Sequence, residues 1–201
     1  VTPLTTISYN TIVGTSVKTT GTVYMIYNSN SQLTPSVTNN QANAVSGNWV
    51  RDATSGSLYC YYNLASPTAT ENFFDNNFSN ITTSGTATTY GYYSSTAAAH
   101  TQNVYGNVFS NWNTGSGTVY PIYASTAGTK NIFGNQVFNI TSAGATMYGI
   151  NAGTGNATTH IRQNNVYNLT STSNSASITL YGIFVSSGTA VNVYNNFVSN
   201  L

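Results

Sequence analysis

Apolar residues in this chain fall in short runs that line up when the sequence is cut into units of roughly 31 residues. The last run reads Asn192-Val193-Tyr194-Asn195-Asn196-Phe197-Val198-Ser199-Asn200-Leu201. Copies of it cover 72–81, 103–112, 131–140 and 160–169, and two degenerate ones begin at Thr6 and Asn39. The column of Val193 holds Ile7, Asn40, Phe73, Val104, Ile132 and Ile161, and that of Val198 holds Ile12, Val45, Phe78, Phe109, Val137 and Val166. Both columns are nearly all apolar and are predicted to face an interior. A second motif lies between successive copies. Its tyrosines are Tyr24, Tyr59, Tyr90, Tyr120, Tyr148 and Tyr181, followed two residues later by Ile26, Tyr61, Tyr92, Ile122, Ile150 and Ile183. An offset of two puts both columns on one face of a strand, so this motif is predicted to be another short strand with both columns turned inward. Pro121 sits badly in such a strand, because proline removes a ladder donor. Apolar residues do not recur at three and four over any long window. Val, Ile, Thr, Tyr and Phe abound, and no helix is expected.

One polar column is as regular as the apolar ones. Asn10, Asn43, Asn76, Asn107, Asn135, Asn164 and Asn196 are separated by 33, 33, 31, 28, 29 and 32 residues. A period of that size marks a solenoid, in which one unit stacks on the next. Short strands separated by Gly, Ser, Thr and Asn turns predict an all-β fold, a single-stranded parallel β-helix of about six coils of 28–33 residues. Equivalent strands would stack about 4.8 Å apart in a rod roughly 30 Å long. A side-chain amide both donates and accepts, and a buried one without partners costs about 1–3 kcal/mol. Seven in register therefore predict an internal asparagine ladder, and the six tyrosines a structural aromatic stack. A partial column four residues on, Asn80, Asn111, Asn139, Asn168 and Asn200, fits either a second ladder or turn chemistry.

The segments Tyr181-Gly182-Ile183 and Asn192-Val193-Tyr194-Asn195-Asn196 resemble repeats of right-handed parallel β-helices, the pectate-lyase-like superfamily. They are similar in particular to Asn- and Thr-rich repeats of large secreted Bacteroidetes proteins, and the resemblance covers essentially the whole chain. It implies a right-handed coil and an extracellular or cell-surface location. It leaves function open, since that superfamily spans lyases, hydrolases, adhesins, phage spikes and inert surface stalks.

Composition narrows the partners. Charged residues make up 3% of the 201-residue chain, against about 25% in ordinary globular proteins. A weakly charged surface raises little barrier to self-association. Four scattered cations and a net charge of +1 form no basic patch, so neither nucleic acid nor an anionic membrane surface is an expected partner. No apolar run is long enough to insert in a bilayer. Cys60 is the sole cysteine and reads as an inert strand residue. The sequons at Asn80, Asn139, Asn156 and Asn168 are by-products of an Asn/Thr-rich repeat. The chain starts and stops at nearly one repeat phase without a capping helix. One β-helical domain over 1–201 is expected, uncapped at both ends: a segment of a longer solenoid, or a subunit that stacks head to tail.

Candidate chemistry is sparse. Glycosidic hydrolysis generally needs two carboxylates, and calcium wants six to eight oxygens. The acids here are Asp52, Glu71 and Asp75, and no second coil repeats them, so they read as solvated surface charge. His100 and His160 lie at different phases with no acidic partner evident, short of a zinc site or a triad. No catalytic residue, metal or cofactor is expected. Trp49, Trp112, Tyr105, Tyr167 and Tyr194 could offer aromatic faces to surface glycans, or serve lateral packing. Threonines such as Thr86, Thr88, Thr89, Thr170 and Thr172 cluster in variable turns and form no regular ice-binding column. The expectation is a non-catalytic extracellular β-helix, a building block of a surface stalk, adhesin or filament. Its partners would be flanking coils or other copies; a carbohydrate-binding module is the alternative, with a fragment of a polysaccharide lyase or hydrolase behind it.

Overall fold

The computed structural model describes residues 4–14, 16–18, 20–29, 37–64, 70–95, 99–153 and 158–201, with the side chains of 16 and 17 outside the description. Among these residues every element is a strand and every strand pairing is parallel. Three sheets run the length of a solenoid of about six coils. The first sheet stacks seven strands, Leu4–Ser8, Val37–Gln41, Thr70–Phe74, Thr101–Tyr105, Lys130–Phe133, Thr158–Arg162 and Ala190–Tyr194. The second follows after a tight turn and is built on strands such as Asn77–Thr83, Val108–Thr114, Gln136–Ser142 and Asn165–Ser171. The third stacks Val23–Asn28, Ser57–Asn63, Thr88–Ser94, Val119–Ala124, Thr146–Ala152 and Thr179–Val185.

The columns read from the sequence meet in the register of these sheets. Phe73, Val104, Ile132 and Ile161 pair strand to strand and are fully buried. Phe78, Phe109, Val137 and Val166 do the same in the second sheet. The core is closed from the third sheet by Tyr61, Tyr92, Ile122 and Ile150, all 0% exposed. Apolar burial at roughly 25 cal/mol per Å² thus accumulates along one axis, each coil covering the last.

The tyrosine column departs from the expectation. Tyr59, Tyr90, Tyr120, Tyr148 and Tyr181 are half-buried on the outer face, and Tyr24 is exposed, while the residues two places on point inward. The strands of the third sheet are not in simple alternation. Cys60 and Tyr61 are both buried, as are Gly91 and Tyr92, Pro121 and Ile122, and Gly149 and Ile150. The ladder pairs step from Tyr90↔Tyr120 to Tyr92↔Ile122 and leave out Gly91 and Pro121; the same rung is left out at Cys60 and at Gly149 with Gly182. A shared bulge-like rung resets the phase of every coil. It also disposes of the objection to Pro121, whose missing N–H falls where no rung pairs.

Candidate functional site: the coil-to-coil ladders

The seven asparagines sit at the tight turn from first to second sheet, and the residue before each has positive φ: Tyr9, Ala42, Asp75, Gly106, Gly134, Gln163 and Asn195, with φ between 52° and 66°. That left-handed residue turns the chain in a single step and aims the next backbone N–H along the solenoid axis. The N–H of each ladder asparagine donates to Oδ1 of the asparagine one coil on, from Asn43 to Asn76 at 2.9 Å and from Asn107 to Asn135 at 3.1 Å. Its Nδ2 donates to the same Oδ1, at 3.0 Å from Asn76 to Asn107 and 2.9 Å from Asn135 to Asn164. The second Nδ2 proton reaches back to a carbonyl of the previous coil, for example Asn135 to Val104 at 2.9 Å and Asn164 to Ile132 at 3.0 Å. The pattern holds from Asn10 to Asn196. The backbone donor fixes which end of each amide is oxygen, so all the carboxamides point one way and polarise one another. Asn43, Asn76, Asn107, Asn135 and Asn164 are at most 1% exposed, and each amide finds partners.

Two further asparagine columns lie outside. Asn80, Asn111, Asn139, Asn168 and Asn200 all have positive φ and are also bonded Nδ2 to Oδ1 at 2.9–3.3 Å. Both readings of that column hold at once: the left-handed residue resets the second-sheet strand, and its exposed side chain joins a ladder. On the first sheet, Asn39, Asn72, Asn103 and Asn131 are linked at 2.8 Å per rung. His160 continues the column and meets Asn192 Nδ2 through Nδ1 at 3.3 Å.

The outer face of the third sheet carries two rows of tyrosine. Tyr24, Tyr59, Tyr90, Tyr120, Tyr148 and Tyr181 stack at 5.2, 4.6, 5.2, 4.9 and 4.9 Å between ring centroids, with planes 1–16° apart. Three residues along each strand, Tyr27, Tyr62, Tyr93 and Tyr123 form a second row at 5.1–5.4 Å. Each pair contributes about 0.5–1.5 kcal/mol beyond area burial. Desolvation, reinforced by neighbouring phenols, pushes Tyr59 and Tyr120 up to about 12, and Tyr90 and Tyr93 are raised for the same reason. Ring faces in the first row are taken up by the coils above and below, and the second row meets the first largely edge-on. Phe74, Tyr105 and Phe133 make a shorter stack at 4.9 and 4.8 Å, with the Arg162 guanidinium 4.3 Å above Phe133.

Of the aromatics singled out for sugars, Trp49 and Trp112 are core residues, 4% and 1% exposed. Trp112 donates its indole N–H to the Phe78 carbonyl at 2.7 Å. Tyr105 is inside a stack and Tyr167 lies on Phe138 at 5.1 Å. Tyr194, on an outer strand, is 47% exposed.

Glu71 departs further from the expectation. Glu71 is not solvated: it is fully buried, and His100 Nε2 is 3.1 Å from its Oε2, also in the interior. The acidic partner that the sequence did not show for His100 is this carboxylate, brought from the preceding coil by the register of the first sheet. Tyr61 and Tyr92 face the same group. Their burial, then the Glu71 charge, holds both phenols well above the ordinary value. Gln102 donates Nε2 to the Tyr92 hydroxyl at 2.9 Å. Lys130 is fully buried as well, and burial lowers its pKa. Arg51 is buried with Nη2 donating to the carbonyls of Gly21, at 2.9 Å, and Ser55. Asp75 and Asp52 do lie at the surface, Asp52 3.6 Å from Lys18. Cys60 is buried in the third sheet, where burial raises its thiol pKa. The signal for the buried polar column was in the same alignment. Thr38, Glu71, Gln102, Lys130 and Thr159 each precede the outer column Asn39, Asn72, Asn103, Asn131 and His160 by one residue, and in a strand that is the inward face.

A shallow hollow of about 430 Å³ is lined by Leu169, Ile178, Leu180, Asn200 and Leu201, and no cluster of three metal-ligating side chains occurs among the described residues. Comparisons with protein-family models, with curated proteins and with solved structures find no match to this chain.

Proposed function

We propose that this chain is a non-catalytic structural protein, a β-helical building block of an extracellular stalk, adhesin or filament. The observation that supports it best is the internal asparagine ladder: from Asn10 to Asn196 the amides bond to the neighbouring coil and to one another. Side chains spent on coil-to-coil bonding supply stiffness and registration, not a reaction. The paired titratable residues Glu71 and His100 are sealed from solvent, and the tyrosine rows use their ring faces on each other. The extracellular part rests on the resemblance of the repeats to those of large secreted Bacteroidetes surface proteins and on the charge-poor composition. Self-association, along the axis or side by side, is the partner chemistry that a weakly charged, hydroxyl-rich rod favours.

The test is direct. Negative-stain electron microscopy and light scattering on the purified chain should show rods that associate as concentration rises. Strictly monodisperse particles at high concentration would remove the filament form. Depolymerisation of pectin or alginate that vanishes in Glu71→Gln would overturn the non-catalytic assignment.

A further inference from the structure

We infer that the first tyrosine row is a site of oxidative cross-linking, where a peroxidase-type oxidant joins phenol rings of successive coils by carbon–carbon bonds, with Tyr148 as its central member. The Tyr148 ring meets Tyr120 on one side and Tyr181 on the other. Both contacts have centroids at 4.9 Å, with planes 6° and 16° apart. Rings at that separation and tilt touch face to face. The π lobes of one ring then point at the next, which is the approach by which two phenoxyl radicals bond.

Coupling needs an oxidant at the ring and a second phenol beside it, and the outer face of the third sheet combines the two. Tyr120, Tyr148 and Tyr181 are half-buried, so each keeps a side open to solvent. Other tyrosines lack one condition. Tyr61 and Tyr92 stack at 5.9 Å but are 0% exposed. Tyr105 lies between Phe74 and Phe133, and Tyr167 between Phe138 and Phe197. Those neighbours carry no hydroxyl and form no phenoxyl radical.

The oxidant is hydrogen peroxide, used by a haem peroxidase. Two steps each take one electron and the hydroxyl proton from a phenol, and the peroxide is reduced to two waters. Identical rings in contact exchange an electron, so a radical formed at one member moves along the row and meets a second beside it. The two unpaired electrons form a bond between ring carbons ortho to the oxygens. Each ortho proton then leaves to solvent while the oxygen takes one up, which restores both phenols. Two phenols and one peroxide give one biphenol and two waters. Fixed neighbours react as one molecule, so coupling within a rod outruns coupling between rods in dilute solution. The inference goes beyond the scaffold reading and does not depend on it, because the reacting rings meet within one chain.

Tryptic mapping of the oxidised chain tests it. Trypsin cuts after Lys18, Arg51, Lys130 and Arg162, and Tyr148 is the only tyrosine in 131–162. Any tyrosine cross-link to that peptide therefore passes through Tyr148. The dilute folded chain is treated with a haem peroxidase and hydrogen peroxide, weighed intact and digested. The expected intact mass is that of one chain less two hydrogens per bond. Peptide 131–162 should emerge joined to 52–130 through Tyr120, or to 163–201 through Tyr181. Tyr148→Phe should abolish both joins and leave that of 19–51 to 52–130, where Tyr24 and Tyr59 stack at 5.2 Å, with circular dichroism confirming the fold. Recovery of 131–162 wholly unjoined from the native chain overturns the proposal, whether or not the variant folds. So does joining found only in chains of doubled mass. Equal joining in the urea-unfolded chain overturns it as well, since the stack would then contribute nothing.

Discussion

Two corners of the same solenoid solve the problem of burying polar side chains in opposite ways. At the turn from first to second sheet one residue type repeats in every coil, and each asparagine is satisfied by the next. At the entry to the first sheet the inward column runs Thr38, Glu71, Gln102, Lys130, Thr159, with no residue equal to its neighbour. An amide stacked on an amide finds donor facing acceptor, so the ladder extends without limit. A carboxylate, an amide and an amine in sequence must find partners sideways, in His100 and Tyr92, and some of their atoms find none. Repetition therefore gives polar burial at low cost, while heterogeneity creates a singular, high-energy spot that is either a defect or a device.

The sharpest way to test the contrast is to break each corner. His100→Leu should remove the partner of a buried carboxylate and destabilise by about 3–5 kcal/mol, read from denaturant unfolding. Adding Glu71→Leu to it should recover part of that loss, because the unpaired charge goes too. A double variant less stable than the single one would mean that Glu71 is not charged and paired in the folded chain. Next in size, Asn135→Leu removes the acceptor of Asn107 N and Nδ2 and the donor to Val104, at a cost of about 3 kcal/mol from several groups left unpaired. Equal melting temperatures for Asn135→Leu and the exposed Ser116→Ala would refute the claim that the ladder carries stability.

Alkaline pH probes a face that neither corner touches. Tyr59 and Tyr120 are raised to about 12 in the fold, against about 10 for a free phenol. Their stabilising contribution is complete below the unfolded value and is lost as pH rises through the folded one. The part of the tyrosinate absorbance that Tyr59→Phe and Tyr120→Phe remove should therefore lag until about pH 12 and then rise together with loss of β-sheet signal. Titration of these two phenols near pH ~10 in an intact fold would contradict their packing in the row. Smallest of all, Asn111→Ala on the exposed ladder should cost about 1 kcal/mol, most of it from placing alanine at positive φ. Asn111→Gly should then be nearly neutral, and a cost matching Asn135→Leu would erase the distinction between inner and outer ladders.

Much of this is legible in the sequence, and what is not is hidden for physical reasons. The period, the strands, the apolar columns and the inner ladder follow from recurrence at fixed phase. The outward turn of Tyr90 was hidden because a strand read as strict alternation has no way to announce a skipped rung at Gly91 or Pro121. Trp49 looked available to a ligand because it lies outside the clear copies of the repeat, whereas Trp112 ends the same column as Ile81, Ile140 and Leu169, a signal of its inward face. Glu71 looked solvated because charge is almost always outside.

The sequence by itself determined the coil. Stacking makes each repeat meet only its neighbours, so a residue recurring once per coil must contact its own kind, and an asparagine that meets asparagine is a ladder. Only the tertiary structure decided what happens where neighbours differ. Register brought Glu71 to His100 and set Gln102 between a carboxylate and an amine, and no periodicity could reveal that, because the chemistry of such a column lies in the contacts between unlike residues.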